Sequence, residues 1–334
     1  MRRITIITLF SLLIALTQSA QAVTFKIATL APEGTRWMDE MHAGAEEIKK
    51  QTEGRVKFRF FPGGTMGNDK SVLRKIHVGQ LHGGALTAGG FSDIAGDSQI
   101  YTLPLTFRTL EEVDYVRGKM DSLIFDALYE NGFISFGLSE VGFAYLMSNK
   151  SIQKAEDLKG QKVWAPEGDK ISRLGFESVD VSPIPLSLAD VLTGLQTGLI
   201  DTVATSAVGA IALQWHTQVK YLTEIPLMYL YGTMVIKRVK FEKLSAEDQT
   251  IVRNVLSGIV KKLNTENRTD NQEAYEVLKK QGLNVVNVNK EDLLKWEKIT
   301  AEAMKALVTE GAIKAETLKA LRKHVSDYRQ QNLN

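Results

Sequence analysis

The sequence predicts an α/β fold of two similar lobes, with a cleft between them and a long helix backing both. Three observations lead there. The first is the pattern that begins at residue 23. Val23, Phe25 and Ile27 alternate with Thr24 and Lys26, the period of a half-buried strand, until Pro32 and Gly34 break the run. Trp37, Met38, Met41, Ala45 and Ile48 then recur at helical spacing. Val56 to Phe60 alternates again before Pro62-Gly63-Gly64. Strand, helix and strand in that order imply a parallel sheet with right-handed crossovers.

The second observation is an internal repeat. Val72-Leu73-x-x-Ile76-x-x-Gly79-x-Leu81 returns 119 residues later as Val191-Leu192-x-x-Leu195-x-x-Gly198-x-Ile200. Each copy reads as a helix closed by glycine, the residue that best tolerates the left-handed position past a helix end. A short strand of small residues follows in each, Gly83 to Thr87 and Thr202 to Ser206. The third observation is a helical pattern from Ala246 to Gln281, with Ser245 as N-cap and Gly282 beyond it. Val252, Leu256, Ile259 and Leu263 mark its buried stripe. Unbroken, it would run ~54 Å at 1.5 Å per residue, longer than one lobe is wide. The polar run Asn264 to Asn271 is the place where it would divide into two helices instead.

Composition narrows the function. Of 334 residues 44% are apolar and 24% charged, an ordinary globular balance. There is no cysteine, which excludes a disulfide scaffold, a thiolate metal site, a cysteine nucleophile and an acylated lipoprotein cysteine. Met1-Arg2-Arg3, the apolar run Ile4 to Leu16 and Ala20-Gln21-Ala22 read as a cleaved signal peptide over residues 1–22. The run is shorter than the ~20 residues a membrane span needs, so the expected location is the periplasm. Without Arg2 and Arg3 the chain carries 39 basic and 39 acidic residues, no footprint for nucleic acid. The nearest histidines, His77 and His82, do not share a helical face, and no metal motif is present. Pro62 to Gly67 matches neither a P-loop nor a dinucleotide fingerprint, and there is no G-x-S-x-G elbow. No cofactor is expected. An exported two-lobed chain without a catalytic constellation reads as a binder of small solutes, not an enzyme, with its pocket between the lobes.

The run Asp157-Leu158-Lys159-Gly160-Gln161-Lys162-Val163-Trp164-Ala165-Pro166 resembles the D-L-K-G-L-K-I-R-V-P segment of TRAP transporter solute receptors, the DctP family. Phe61 to Gly67 is similar to the family's F-P-G-G-Q-L-G turn, and Leu105-Thr106-Phe107-Arg108 to its Leu-Pro-x-x-F context. Ile184 to Ser187, Ala189 to Val191 and Leu195 to Gly198 resemble its P-M-x-x-S-E-V-Y-x-A-L-Q-x-G segment. Val219 to Thr223 resembles V-Q-K-Y-L-T, and the likeness covers nearly all of residues 24–330. It implies a two-lobed periplasmic-binding-protein-like fold that closes on a small solute and delivers it to the small and large subunits of a membrane permease. An accessory periplasmic protein, or a sensing role, is the alternative partnership. The expected lobes are 23–141 plus 231–272 (lobe I) and 142–230 plus 273–320 (lobe II), with a tail at 321–334.

The departures from the family bear on the ligand. The resemblance implies an arginine, for an organic acid, at the position of Trp164, a second basic residue at Ala144 and an asparagine at Thr205. A carboxylate buried without a cation is strongly disfavoured, whereas an indole face attracts rings or cations. The expected ligand is therefore neutral, aromatic or hydrophobic, with an organic cation over Trp164 as the second choice. Its expected contacts are Trp164, Phe143, Ala144, Thr205, Thr87, Trp37, Glu167 and Tyr231. The alternative is that Trp164 packs in the core and an acid is held by Arg36, Arg108, Arg173 or a lysine.

Overall fold

The computed structural model describes residues 22–332, so the expected signal peptide lies outside the described residues save for Ala22. Strand β1 (Val23–Thr29), helix α1 (Arg36–Gln51) and strand β2 (Val56–Phe61) form the expected opening, with β1 and β2 parallel. Phe25, Ile27, Met41 and Ile48 are wholly buried along the predicted stripes, each contributing ~1.5–3 kcal/mol by leaving water. Helix α2 (Asp69–His77) leads through Gly79 into β3 (Gly83–Thr87), which lies parallel to β1. Helix α3 (Leu110–Glu130) then feeds β4 (Phe133–Ser148).

The second copy of the repeat has the same form. Strands β5 (Trp164–Pro166) and β6 (Ile184–Leu186) flank helix α4 (Lys170–Glu177), and helix α5 (Val191–Gln196) runs through Gly198 into β7 (Thr202–Thr205). Gly79 and Gly198 both take the left-handed conformation that the repeat predicts, at φ +79° and +69°. Helix α6 (Ala207–Ala212) follows, then β8 (Tyr221–Lys237) and the short α7 (Arg238–Phe241).

The long strands β4 and β8 run antiparallel through both lobes. The main sheet has the order β2-β1-β3-β8-β4-β7, and β9 (Asn284–Val286) adds to β8 on the lobe II side. Strands β5 and β6 make a small second sheet, tied to β7 by the bridge Val163–Thr202. The β4–β8 register shifts between Glu140 and Gly142, opposite Tyr231 and Leu230, where the chain passes between lobes.

Helix α8 (Ala246–Lys280) is one unbroken helix, about 52 Å long at 1.5 Å per residue. Val252, Leu256 and Leu263 enter the lobe I core, and Ala274 and Leu278 enter the lobe II core. The polar run Asn264 to Asn271 does not divide it. Instead its side chains grip β4. Asn264 donates to Leu138 O (2.9 Å) and accepts from Glu140 N (2.8 Å). Asn267 donates to Glu140 O (2.9 Å), and Asn271 to Val141 O (3.0 Å). Spacings of three and four place these groups on one helix face. The approach is so close that a Cβ at Gly142, where φ is +103°, would fall 2.8 Å from Asn271 Nδ2.

Helices α9 (Lys290–Thr309) and α10 (Ala315–Gln331) close the chain. Trp296 of α9 packs into lobe II, but Leu307, Ile313, Leu318, Leu321 and Val325 enter the lobe I core. Arg329 pairs with Glu112 of α3 at 2.6 Å. The expected boundary at 320/321 therefore falls inside α10, whose apolar stripe packs it on lobe I rather than leaving it a tail.

Candidate functional site

The lobes meet along a polar seam. On lobe I it is formed by the turn before α2 and by the end of β3. Asn68 caps α2 by accepting from Ser71 N, which leaves its amide free to reach lobe II. Its Nδ2 donates to Glu167 Oε2 at 2.7 Å. Gln99 Nε2 donates to Asp169 Oδ1 at 3.0 Å, and Asp169 is in turn fixed as the N-cap of α4. Lys70 lies so close to the opposite lobe that a Cβ at Gly168 would fall 2.7 Å from its Cε.

Asp69 is the group in this seam with an unmet need. Thr87 donates to its Oδ2 from Oγ1 (2.6 Å) and from its backbone N–H (3.3 Å). Oδ1 is shut off from solvent and has no hydrogen-bond partner among the described residues. Burial pushes the carboxyl up to about 6, and the two Thr87 bonds oppose that rise only in part.

Thr87 and Glu167, both singled out from sequence, stand on the two sides of this seam, Thr87 through Asp69 and Glu167 through Asn68. Thr87 also caps a short turn by accepting from Gly90 N, as Ser206 does for Gly209 N in the other copy of the repeat. Phe143 and Ala144 lie on β4 just past the register shift. Phe143 is half-buried with its ring 6.0 Å from Tyr229, and Ala144 is wholly buried opposite Met228. Thr205 ends β7, buried and paired with Tyr145.

Two of the expected contacts are packed into cores, and a third is half-buried against one. Trp164 is 6% exposed; it donates Nε1–H to Leu186 O at 3.1 Å and stands edge-on to Trp215 at 5.1 Å. Its neighbours include Val191, Leu195 and Ala207, which makes it a wall of lobe II with little ring left bare. Trp37 packs on the Phe25 and Met41 core of lobe I. Tyr231 is buried, its hydroxyl donating to Ser98 O.

The arginines considered as acid binders are occupied. Arg36 pairs with Asp270 (2.7 Å), Arg108 with Glu297 (2.9 Å), and Arg173 with Glu177 (2.7 Å) and Glu310 (2.9 Å). Two more serve the crossing strands. Arg268 spans Asp114 (2.6 Å) and the buried Glu140 (2.8 Å). Arg117 holds Asp121 (3.1 Å) and donates to Tyr229 Oη (3.1 Å), which donates onward to Glu140. Lys70 pairs with Asp93 at 3.3 Å.

Sequence reasoning missed Asp69, Lys70, Gln99 and Asp169. One signal was available for Asp69 and Lys70. The repeat sets them opposite Leu188 and Ala189, so two charged residues in one copy stand where the other copy is apolar.

Comparison with known proteins accords with this geometry. The sequence matches the DctP family, bacterial extracellular solute-binding protein family 7, over residues 27–310. It is 26% identical over 233 residues to the uncharacterized protein YiiZ of Salmonella typhimurium, covering 66% of this chain and 68% of that one. It is 24% identical over 245 residues to the 2,3-diketo-L-gulonate-binding periplasmic protein YiaO of Escherichia coli, covering 69% and 74%. A TRAP periplasmic solute-binding protein from Sulfitobacter sp. NAS-14.1, solved with β-D-galacturonate, superimposes with a TM-score of 0.83 at 17% identity over 90% of this chain and 99% of that one. Among the described residues no helix is long and apolar enough to cross a membrane. The chain belongs to the DctP family of extracytoplasmic solute-binding proteins, which are receptors and not enzymes.

Proposed function

We propose that the chain is the solute receptor of a TRAP-type secondary transporter. It captures a small solute between its lobes by hinge closure and presents the closed form to the small and large permease subunits. The observation that supports this reading is the seam. Asn68 to Glu167 and Gln99 to Asp169 join opposite lobes, so these bonds are made on closing and lost on opening. A solute touching both walls favours the closed state by its differential affinity, and the permease reads that state. The hinge is the register shift at Glu140–Gly142 on β4, faced by Leu230 and Tyr231.

The ligand is neutral or aromatic rather than a plain aliphatic carboxylate. The two positions that resemble the family's basic ligand residues are Trp164 and Ala144, and the arginines weighed as substitutes are bound to carboxylates. Arg36 is bidentate to Asp270, Arg173 is shared by Glu177 and Glu310, and Arg108 is paired with Glu297, so each already has a carboxylate partner that an incoming acid would have to displace. Native mass spectrometry of the mature protein as purified, with identification of the molecule released on denaturation, tests this. A neutral or aromatic molecule supports the reading, and an aliphatic acid contradicts it.

A further inference from the structure

A groove of about 770 Å³ opens between α3 and α8, within the size range of small-molecule sites. Arg117, Gly118 and Asp121 line the α3 wall, and Lys261, Asn264 and Arg268 the α8 wall, at spacings that keep each set on one helix face. The floor is β4, where Phe136 and Leu138 flank Gly137. Phe125 of α3 and Leu138 belong to one lobe I core and Phe136 to the other, so the groove runs along the join of the two. Gly118 sits inside α3, where glycine is less stable than alanine because it loses more backbone freedom on folding. Packing does not require it, since a Cβ there would meet nothing within 4 Å. The wall is left bare where the protein itself would accommodate a side chain.

The charges of the groove are of two kinds. Both carboxylates are taken: Asp121 holds Arg117 and accepts from Tyr101, and Asp114 holds Arg268. The two guanidinium groups donate further to Tyr229, Leu138 O and Glu140. Lys119 of α3 and Lys261 of α8 also line the groove, and neither pairs with a carboxylate among the described residues. Lys119 lies 5.7 Å over the Tyr115 ring.

We infer that this groove is a second small-molecule site, outside the cleft between the lobes, and that its ligand is an organic anion with an aromatic body. The lysines on its two walls supply charge for an anionic head, and a charge-assisted bond is roughly twice as strong as a neutral one. Phe125 and Phe136 supply the surface for a ring, and bare Gly118 lets that ring come close. A cation would meet surplus positive charge, and a neutral ring would leave both lysines unmatched. The groove shares no lining residue with the seam, so either site can exist without the other.

The test adds 2-naphthoate, 2-naphthalenemethanol or 2-naphthylmethylamine to the mature protein at neutral pH. Calorimetry is expected to show the naphthoate binding more tightly than the alcohol, and the amine not at all. Its affinity should fall about tenfold or more in the double variant Lys119→Ala/Lys261→Ala and in Gly118→Leu, which fills the groove. It should hold in Lys150→Ala, which removes an exposed lysine of lobe II. Should Gly118→Leu not fold, the methyl ¹³C shifts of Leu138 and Val260, both lining the groove, read the same contact in the unmutated protein. Naphthoate binding that survives either variant, or that leaves those methyl shifts unmoved, overturns the inference. So does equal or tighter binding of the alcohol or the amine, and so does no binding of the naphthoate.

Discussion

The hinge and the seam are both polar, and they are built in opposite ways. At the hinge Glu140 is buried, yet it accepts from Arg268 and Tyr229, and its backbone N–H and C=O are both taken by α8. Of the buried side-chain oxygens and nitrogens in that stretch, Ser139 Oγ alone has no partner among the described residues. At the seam Asp69 is shut off too, but one of its oxygens meets nothing, and the bonds beside it reach across to the other lobe. A satisfied buried network rigidifies, and an unsatisfied one costs stability. The difference separates the part of the molecule that holds its shape from the part that comes apart when the lobes open.

That contrast can be broken by mutation. The largest effect is expected at the hinge. Glu140→Ala leaves Arg268 partly buried beside a lost partner and should destabilise by about 3–5 kcal/mol in urea denaturation. At the seam the sign reverses. The folded Asp69 carboxyl sits at about 6 and its unfolded counterpart near 3.9, so the folded state holds the proton more tightly. Stability should fall as pH rises from about 4 to about 6, and the full deficit, at most roughly 3 kcal/mol, persists above that window. Asp69→Asn removes this titration, so the empty variant should be the more stable protein at pH 7 and should lose this group's fall in stability across the window. A melting-temperature series from pH 4 to 8 reads both features.

Smaller changes sharpen the comparison. Gly142→Ala meets both a positive φ and Asn271, and should cost about 2 kcal/mol by chemical denaturation. Gly160→Ala, with a positive φ but open space, should cost about 1 kcal/mol. Glu167→Ala removes one exposed bond and should move global stability by no more than about 0.5 kcal/mol. It should nonetheless favour the open form, seen as a larger radius of gyration in small-angle scattering.

Much of the fold was legible because its signals are local. The β1–α1–β2 opening and the two helix-glycine-strand units rest on periodicity and on single glycines such as Gly79 and Gly198. The polar run of α8 read as a possible break because nothing near it in sequence says what it serves; its partners on β4 lie about 130 residues away. The site was less legible for the same reason. Trp164 reads from sequence as a cleft contact, with core packing as the alternative, and Trp215, which covers it, is 51 residues on. Asp69 looks like any acid in a helix's first turn. Its condition depends on Thr87 and on how the seam closes over it. The packing of the C-terminal helix was not legible, because an apolar stripe shows that a helix is covered, not which residues cover it.

The most direct test is a crystal structure of the mature protein with the solute it carries from the cell. The account predicts closed lobes, with the Asn68–Glu167 and Gln99–Asp169 bonds made, a neutral or aromatic solute between them and the hinge pairs of Glu140 unchanged. An aliphatic carboxylate held by Arg117 or Arg268 would contradict it.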